Sequence, residues 1–255
     1  KIAIVQNIRK SNKKKIKVKN TLSLLTKFSK KVRISSNAFH VAITGSSGKT
    51  SLKELIGQCL NKSYLTIFSK NSYNNKLGVP ISLTSLNLNT NYGVFEIGMD
   101  RKGEIDNLSR IISPDIGVIT NISYAHAKNF NTLFDIAKAK SEIMNNINSG
   151  GTIVLNKEDR FFNFFYNLAK KKKLKIISFG KNKNSNISLF NIKKYKKNSI
   201  LIFKVNSKVY NFKVKNILLP YINNILASLA VLKSLEIIDK LDINFFYKYK
   251  IPSGR

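Results

Sequence analysis

The seven residues Thr44-Gly45-Ser46-Ser47-Gly48-Lys49-Thr50 constrain this chain more than any other stretch. They follow a short apolar run, Val41-Ala42-Ile43, and precede Leu52, Leu55, Ile56, Cys59 and Leu60, which fall on one face of a helix. A buried strand, a glycine turn and an amphipathic helix in that order make a phosphate-binding loop. Glycines let successive backbone amides point inward, and the helix N-terminus adds positive potential. In such a loop the lysine, Lys49, reaches the outer phosphates and the hydroxyl of Thr50 suits magnesium. The full pattern has a glycine where Ile43 stands, so this is a shortened loop. Gly45, Ser46, Ser47, Gly48, Lys49, Thr50 and Ser51 are therefore the candidate nucleotide contacts.

The flanking pattern extends the same architecture. Short apolar strands are predicted at Leu65 to Phe68, Gly93 to Ile97, Ile116 to Thr120, Ile153 to Leu155 and Ile176 to Phe179, with helical stretches between them. Strands alternating with helices predict a mostly parallel sheet covered on both faces. After Gly180 the texture changes to Ile187 to Ile192, Ile200 to Val205 and Val209 to Val214, with a hairpin turn at Asn206-Ser207. A last helix carries Ile225, Leu229, Leu232 and Leu235 inward and leaves Glu236 outside. Residues 1 to 19 read as the end of another unit, with strands at Ile2 to Val5 and Ile16 to Val18. Thr21 is the expected cap of a helix bearing Leu22, Leu25 and Phe28. The predicted class is α/β with a small antiparallel β appendage, and no internal repeat is apparent.

Composition limits the alternatives. Of 255 residues 43% are hydrophobic and 23% charged, which excludes a disordered tail. No apolar run is read as approaching the ~20 residues that cross a bilayer, so no membrane association is expected. The single cysteine, Cys59, forms no internal disulfide and sits on a predicted apolar face, as a core thiol does. Forty-five basic against 13 acidic residues give a net charge of +32, which invites a nucleic-acid reading. The basic runs at 13–15, 30–31, 170–173 and 193–197 are spread along the chain, and arginine is scarce. Solvated lysine-rich faces are the better reading, and no specific nucleic acid is expected. Lys1 is not methionine and the chain stops at Arg255 after Pro252-Ser253-Gly254, so both ends read as cuts; Lys1 to Gln6 is too short for a signal peptide.

Other residues carry chemistry by position. Glu96 ends a predicted strand, where ligands gather in open parallel sheets. His126 follows another strand by a short loop, and Asn74 and Asn75 are of turn-making type. Thr132 and Asp135 mark a helix start, and Leu133, Ile136, Ala137, Ile143, Met144 and Ile147 form one apolar stripe. Lys140 lies on that stripe and Lys138 off it. Lys140 is then either a buried amine of lowered pKa or a side chain that snorkels to water. His40 matches no motif and reads as structural.

Taken in order, these motifs resemble the Mur ligases of peptidoglycan synthesis. The resemblance rests on the phosphate loop, Thr50-Ser51-Leu52-Lys53-Glu54 and the run Asn71 to Pro80. Glu96-Ile97-Gly98 with Gly103-Glu104-Ile105, Asn121 to His126, and Ala137 to Ile143 complete it. It covers about His40 to Arg255, and within the family it is nearest to the member that joins D-alanyl-D-alanine to UDP-N-acetylmuramoyl-tripeptide. The resemblance implies an ATP- and Mg2+-dependent cytoplasmic enzyme, expected as a monomer, that makes an amide bond through an acyl phosphate. It implies catalytic roles for Lys49, His126 and Lys140, with Lys140 as a carbamate, and metal ligation by Thr50, Glu96, His126 and Lys140. Asn74 and Asn75 form the substrate loop, while Asn224 and Arg255 lie beside the nucleotide; Pro220-Tyr221 replaces the family's His-Asn. Residues 1–35 are expected to be a remnant of an N-terminal UDP-sugar-binding domain with its linker helix. Residues 36–255 are expected to be the central ATP-binding domain, with a C-terminal domain absent and the fragment weak or inactive alone.

Three alternatives differ in testable ways. A sister Mur ligase or a folylpolyglutamate synthetase-like ligase shares the ATP site and takes another amine; Asn74-Asn75 and Gly78-Val79-Pro80 favour the D-alanyl-D-alanine enzyme. A phosphate-loop kinase lacks the later lysine motif. A basic nucleic-acid-binding module requires one concentrated patch.

Overall fold

A computed structural model describes residues 3–7, 14–124, 129–206 and 208–249. Of the positions singled out above, Lys1, Ile2, Lys13, His126, Ser207, Pro252, Ser253, Gly254 and Arg255 lie outside the described residues.

The chain opens with two three-residue strands, β1 (Ala3–Val5) and β2 (Lys15–Lys17), paired in parallel. Helix α1 (Thr21–Ser35) follows. Its cap is Asn20, whose side chain accepts the Ser23 N–H, so Thr21 is the first helical residue and not the cap. The remaining order is β3 (Phe39–Thr44), α2 (Lys49–Leu60), β4 (Thr66–Phe68), α3 (Gly78–Leu83), β5 (Tyr92–Glu96), α4 (Glu104–Ile112) and β6 (Ile116–Ile119). Then come α5 (Leu133–Ser141), β7 (Thr152–Asn156), α6 (Phe162–Lys171), β8 (Lys175–Gly180), β9 (Ile187–Lys194), β10 (Asn198–Val205), β11 (Lys208–Lys215), α7 (Ile222–Ser234) and α8 (Phe245–Lys248).

Nine strands form one sheet in the order β11-β10-β9-β8-β7-β6-β3-β5-β4. From β4 to β9 every pairing is parallel, as the alternation of strands and helices predicts. The three antiparallel strands are continuous with that sheet: β9 joins β8 in parallel at two positions and then pairs antiparallel with β10. The appendage is thus an extension of the main sheet with no break in it.

Alternation along β3 divides the core. Val41 and Ile43 point to a layer made by α2, α7 and α8, while Ala42 points to one made by α3, α4, α5 and α6. Residues Asn216 to Ser234, a 3-10 turn followed by α7, form a helical stretch of 19 residues apolar enough by composition to span a bilayer. This corrects the reading that no apolar run approaches that length. The stretch is apolar because it is a core helix: Ile225, Leu226, Leu229 and Leu232 are buried against the sheet. Cys59 is buried in the same layer, and burial pushes its thiol up to about 12, as befits a packing residue.

The sheet also fixes where a ligand can enter. After β3 the chain steps outward to β4, returns to β5 beside β3, and crosses to β6 on the other side. Crossovers on either side of β3 therefore leave in opposite directions and open a crevice at its C-terminal end. Its N-terminal end is closed. There Asp115 accepts the His40 N–H at 2.8 Å and the Asn148 amide at 2.7 Å, and Arg33 of α1 donates to Ile112 O and Ser113 O, each at 2.7 Å. The His40 ring stacks on Phe95 and lies 3.8 Å from the Asp115 carboxylate, too far for a direct hydrogen bond. Burial holds the imidazole below its ordinary pKa, and so neutral.

Candidate active site

The phosphate loop occupies the crevice. Gly45 and Gly48 have φ of +145° and +78°, and a Cβ at Gly45 would fall 1.8 Å from Thr120 Oγ1. Only glycine fits there without displacing the next strand's end. The loop is tied to the segment after β6: Ser46 N–H donates to Asn121 O at 2.9 Å, and Ser47 N–H to Asn121 Oδ1 at 3.0 Å. Thr120 Oγ1 donates to Ser47 O at 2.7 Å, and Ser46 Oγ exchanges hydrogen bonds with Ser123 at 3.0 and 2.8 Å. From the other side Asn224, on α7, donates to Gly48 O at 3.2 Å. Asn224, expected beside the nucleotide, thus touches the phosphate loop although 176 residues separate the partners.

Two lysines meet at one carbonyl. Lys49 Nζ and Lys140 Nζ each donate to Gly45 O at 3.0 Å. Lys140 is 2% exposed, so the stripe reading holds and the snorkelling one does not; Lys138 is exposed. Thr132 and Asp135 form a reciprocal capping box that starts α5 and sets this orientation. Burial, with Lys49 adding repulsion, lowers the Lys140 pKa to about 7.

A few ångströms along the strand ends, Glu96 is buried and gathers two further candidates. Its Oε2 accepts from Thr50 Oγ1 at 2.6 Å and its Oε1 from Asn74 Nδ2 at 2.8 Å. Asn75 instead accepts the Gly78 and Leu77 N–H groups at 2.9 and 3.1 Å and caps α3. Lys49, Asn74, Asn75, Gly98, Glu104 and Asn107 line a cavity of about 570 Å³. Ser51 belongs to a second, apolar pocket with Leu55, Leu218, Tyr221, Asn224 and Tyr249. Among the described residues no three His, Cys, Asp or Glu side chains cluster. The hard oxygens brought together are those of Thr50 and Glu96, which fit magnesium, an ion that keeps several waters and phosphate oxygens of its own.

Sequence reasoning assigned no role to two residues that shape this site. Lys53 is fully buried, donates to Ser69 O and to Asn71 O, and pairs with Glu54 at 3.0 Å. It fastens the loop that leads to Asn74. Its place on α2, one turn before Ile56 and two before Leu60, was the available signal. Asn121 holds two successive loop serines, a role that its place in the run Asn121 to His126 does not reveal.

Comparison with known proteins shows the family and the fold. Residues 43–232 match the family model described as the Mur ligase middle domain. The UDP-N-acetylmuramoyl-tripeptide–D-alanyl-D-alanine ligase of Rickettsia prowazekii is 33% identical over 92% of this chain and 51% of its own length. The chain thus spans about half the length of the curated relatives it matches. Among solved structures, the UDP-N-acetylmuramoylalanyl-D-glutamyl-2,6-diaminopimelate–D-alanyl-D-alanyl ligase of Acinetobacter baumannii superposes with a TM-score of 0.87 at 27% identity. That match covers 99% of this chain and 55% of the other. A MurF ligase of Thermotoga maritima, in complex with ADP, superposes with a TM-score of 0.84 over 100% of this chain and 58% of its own. At 24% identity that likeness is one of fold.

Proposed function

Since this chain belongs to the Mur ligase family through its middle domain, we propose that it is the ATP-binding part of the ligase that adds D-alanyl-D-alanine to UDP-N-acetylmuramoyl-tripeptide. Residues 36–255 form its central domain, residues 1–35 the end of the UDP-sugar-binding domain with its linker helix. The enzyme works in the cytoplasm as a monomer. One observation carries the reading: Thr50 and Asn74 meet on Glu96, beside the two lysines that share Gly45 O.

A carboxylate is a poor acylating agent until one oxygen becomes a phosphate leaving group. ATP supplies that phosphoryl group, and the amine of D-alanyl-D-alanine then displaces phosphate from the acyl phosphate. Both reacting partners are anions, so the residues of this chain act chiefly by neutralising and positioning charge. The amides of Gly48, Lys49 and Thr50 at the start of α2 cradle the phosphates, the Ser46 and Ser47 amides being held by Asn121, and the ammonium of Lys49 bonds the transferring group. Thr50 and Glu96 would hold Mg2+, which when bound screens the phosphate charge. Lys140, its amine partly neutral near pH 7, adds to carbon dioxide with loss of one proton. The resulting carbamate turns a buried cation into an oxygen ligand, with His126 as a further ligand. Asn224, beside the apolar pocket of Ser51 and Tyr221, faces the base, and Arg255 is assigned to the nucleotide by the family resemblance alone. Asn74 and Asn75 meet the tripeptide in the adjoining cavity.

The test is ADP release by the full-length protein with the tripeptide nucleotide and each candidate amine. Release that requires D-alanyl-D-alanine is expected. Equal release with a free amino acid, or with no amine, would overturn the assignment.

A further inference from the structure

The helix that bears Lys140 ends in a joint that none of the roles above uses. Beyond α5 the chain continues as a 3-10 turn, Glu142–Asn145. The Glu142 carboxylate reaches across to the start of α4, where it accepts the Gly103 N–H at 2.8 Å on one oxygen and 3.0 Å on the other. It also accepts the Asp106 N–H at 3.2 Å. Gly103 is the N-cap of α4 and has no side chain to offer, so Glu142 caps that helix from another part of the chain. The turn also gives hydrogen bonds back. Asn145 and Asn146 donate to the Asp106 carboxylate at 2.9 and 3.1 Å, and Asn146 donates to Ser109 Oγ at 2.9 Å.

The first turn of α4 is a wall of the cavity next to the lysines, since Glu104, Asn107 and Leu108 line it. Glu104 folds the preceding loop over the same cavity by accepting the Asp100 and Arg101 N–H groups at 2.6 and 3.1 Å. Lys140 and Glu142 are two residues apart, where α5 passes without a break into the 3-10 turn. Any shift of the wall relative to Lys140 must break the Glu142 cap.

We propose that Glu142 is a positioning residue that fixes the wall of the tripeptide cavity relative to Lys140. Its ligand is this chain's own backbone, and the consequence is for substrate: the wall is held in the register that a peptide carboxylate needs beside Lys49. The inference rests on the functional reading above, because that reading puts the tripeptide in the cavity. Charge-assisted bonds to backbone amides are stronger than neutral ones, so loss of the cap loosens the wall without touching the phosphate loop.

The experiment compares wild type, Glu142→Ala and Glu142→Gln in the full-length protein by two readouts. Amide hydrogen exchange at Gly103 and Asp106 should accelerate about tenfold in Glu142→Ala, with exchange in β3 and β6 unchanged. KM for the tripeptide nucleotide should rise about tenfold, KM for MgATP should stay within about twofold, and Glu142→Gln should fall between. Unchanged exchange at Gly103 and Asp106 would overturn the proposal, as would equal rises in both KM values. Should Glu142→Ala fail to fold, Glu142→Gln alone decides: exchange and tripeptide KM at wild-type values reject the joint. If wild type releases no ADP in response to the tripeptide, the functional reading has failed, and the exchange data still judge the cap.

Discussion

At its N-terminal end β3 carries His40, packed beside one carboxylate, Asp115, with one guanidinium, Arg33, close by. At its C-terminal end the same strand runs into Gly45, whose carbonyl takes the ammonium groups of Lys49 and Lys140. Both ends bury ionisable groups, yet they are balanced differently. At the closed end Asp115 and Arg33 offset each other and are engaged by backbone and amide partners, and the His40 ring beside them is kept neutral. At the open end two lysine amines converge on one carbonyl, and burial with the neighbouring Lys49 cation leaves Lys140 partly neutral, an arrangement that an anionic ligand at Lys49 or carbamate formation at Lys140 relieves. The difference teaches where to look for chemistry: a buried charge compensated within the fold is architecture, and like charges held together mark where something else binds.

The sharpest way to break this contrast is Lys49→Ala. Removing an ammonium aimed at the transferring phosphoryl group should lower turnover about a thousandfold. The melting temperature should move by no more than about 2 °C, because the residue belongs to the open end. Near-normal ADP production by the folded variant would remove the phosphate-loop assignment. Next is Lys140→Ala, with a loss of about a hundredfold in turnover and recovery of about tenfold in acetate, which supplies the missing carboxylate. Full activity of this variant, or an intact mass and crystal structure showing a free amine in the active enzyme, would sink the carbamate.

Lys53 sharpens the comparison, since it lies near the open end but is compensated like the closed one. Lys53→Met strands the Ser69 and Asn71 carbonyls beside Glu54 and should cost about 2 kcal/mol of stability, read from a denaturant melt. A variant as stable as wild type would show that the fastening is unimportant. The smallest effect belongs to His40, whose folded pKa lies below the ordinary histidine value of 6.5. Above that value both states are neutral and stability is complete. As pH falls below it, the unfolded chain takes up a proton that the folded one refuses, and stability declines by at most about 1.4 kcal/mol per pH unit. His40→Phe should flatten that decline while keeping the contact with Phe95; an unaltered pH profile would assign the loss elsewhere.

How much of this was legible depends on how far apart the partners lie. The phosphate loop and the capping box at Thr132 and Asp135 are local, and each was readable from a few residues. The periodicity of one helix put Lys140 on the apolar stripe but left burial and snorkelling both open, and its reach across 95 residues to Gly45 O, where Lys49 also donates, left no local mark. Asn121 on Ser47 and Glu142 on Gly103 span 74 and 39 residues, and only the crossovers of the sheet bring them together. Continuity of β8 with β9 was hidden for the same reason, because two parallel pairs at a strand's end leave no mark on the alternation. The cap Asn20 was missed by one position, since Asn and Thr are both N-cap residues and stand side by side there.

The extended sheet has a consequence for how copies of this protein meet one another. One border strand, β4, has only three residues, too few to template another chain. The other, β11, is eight residues long, and its outer edge is covered in part, because Lys213 N–H donates to Ile243 O just before α8. Lys208, Lys213 and Lys215 stud it, with Lys204 on the strand beside it. A second copy approaching edge-on meets those charges first, backed by a total of +32. Lysines that do nothing for phosphate thus act as a colloidal guard. That protection thins as salt shortens the Debye length, so shelf life at high concentration should be better in dilute buffer than in molar salt.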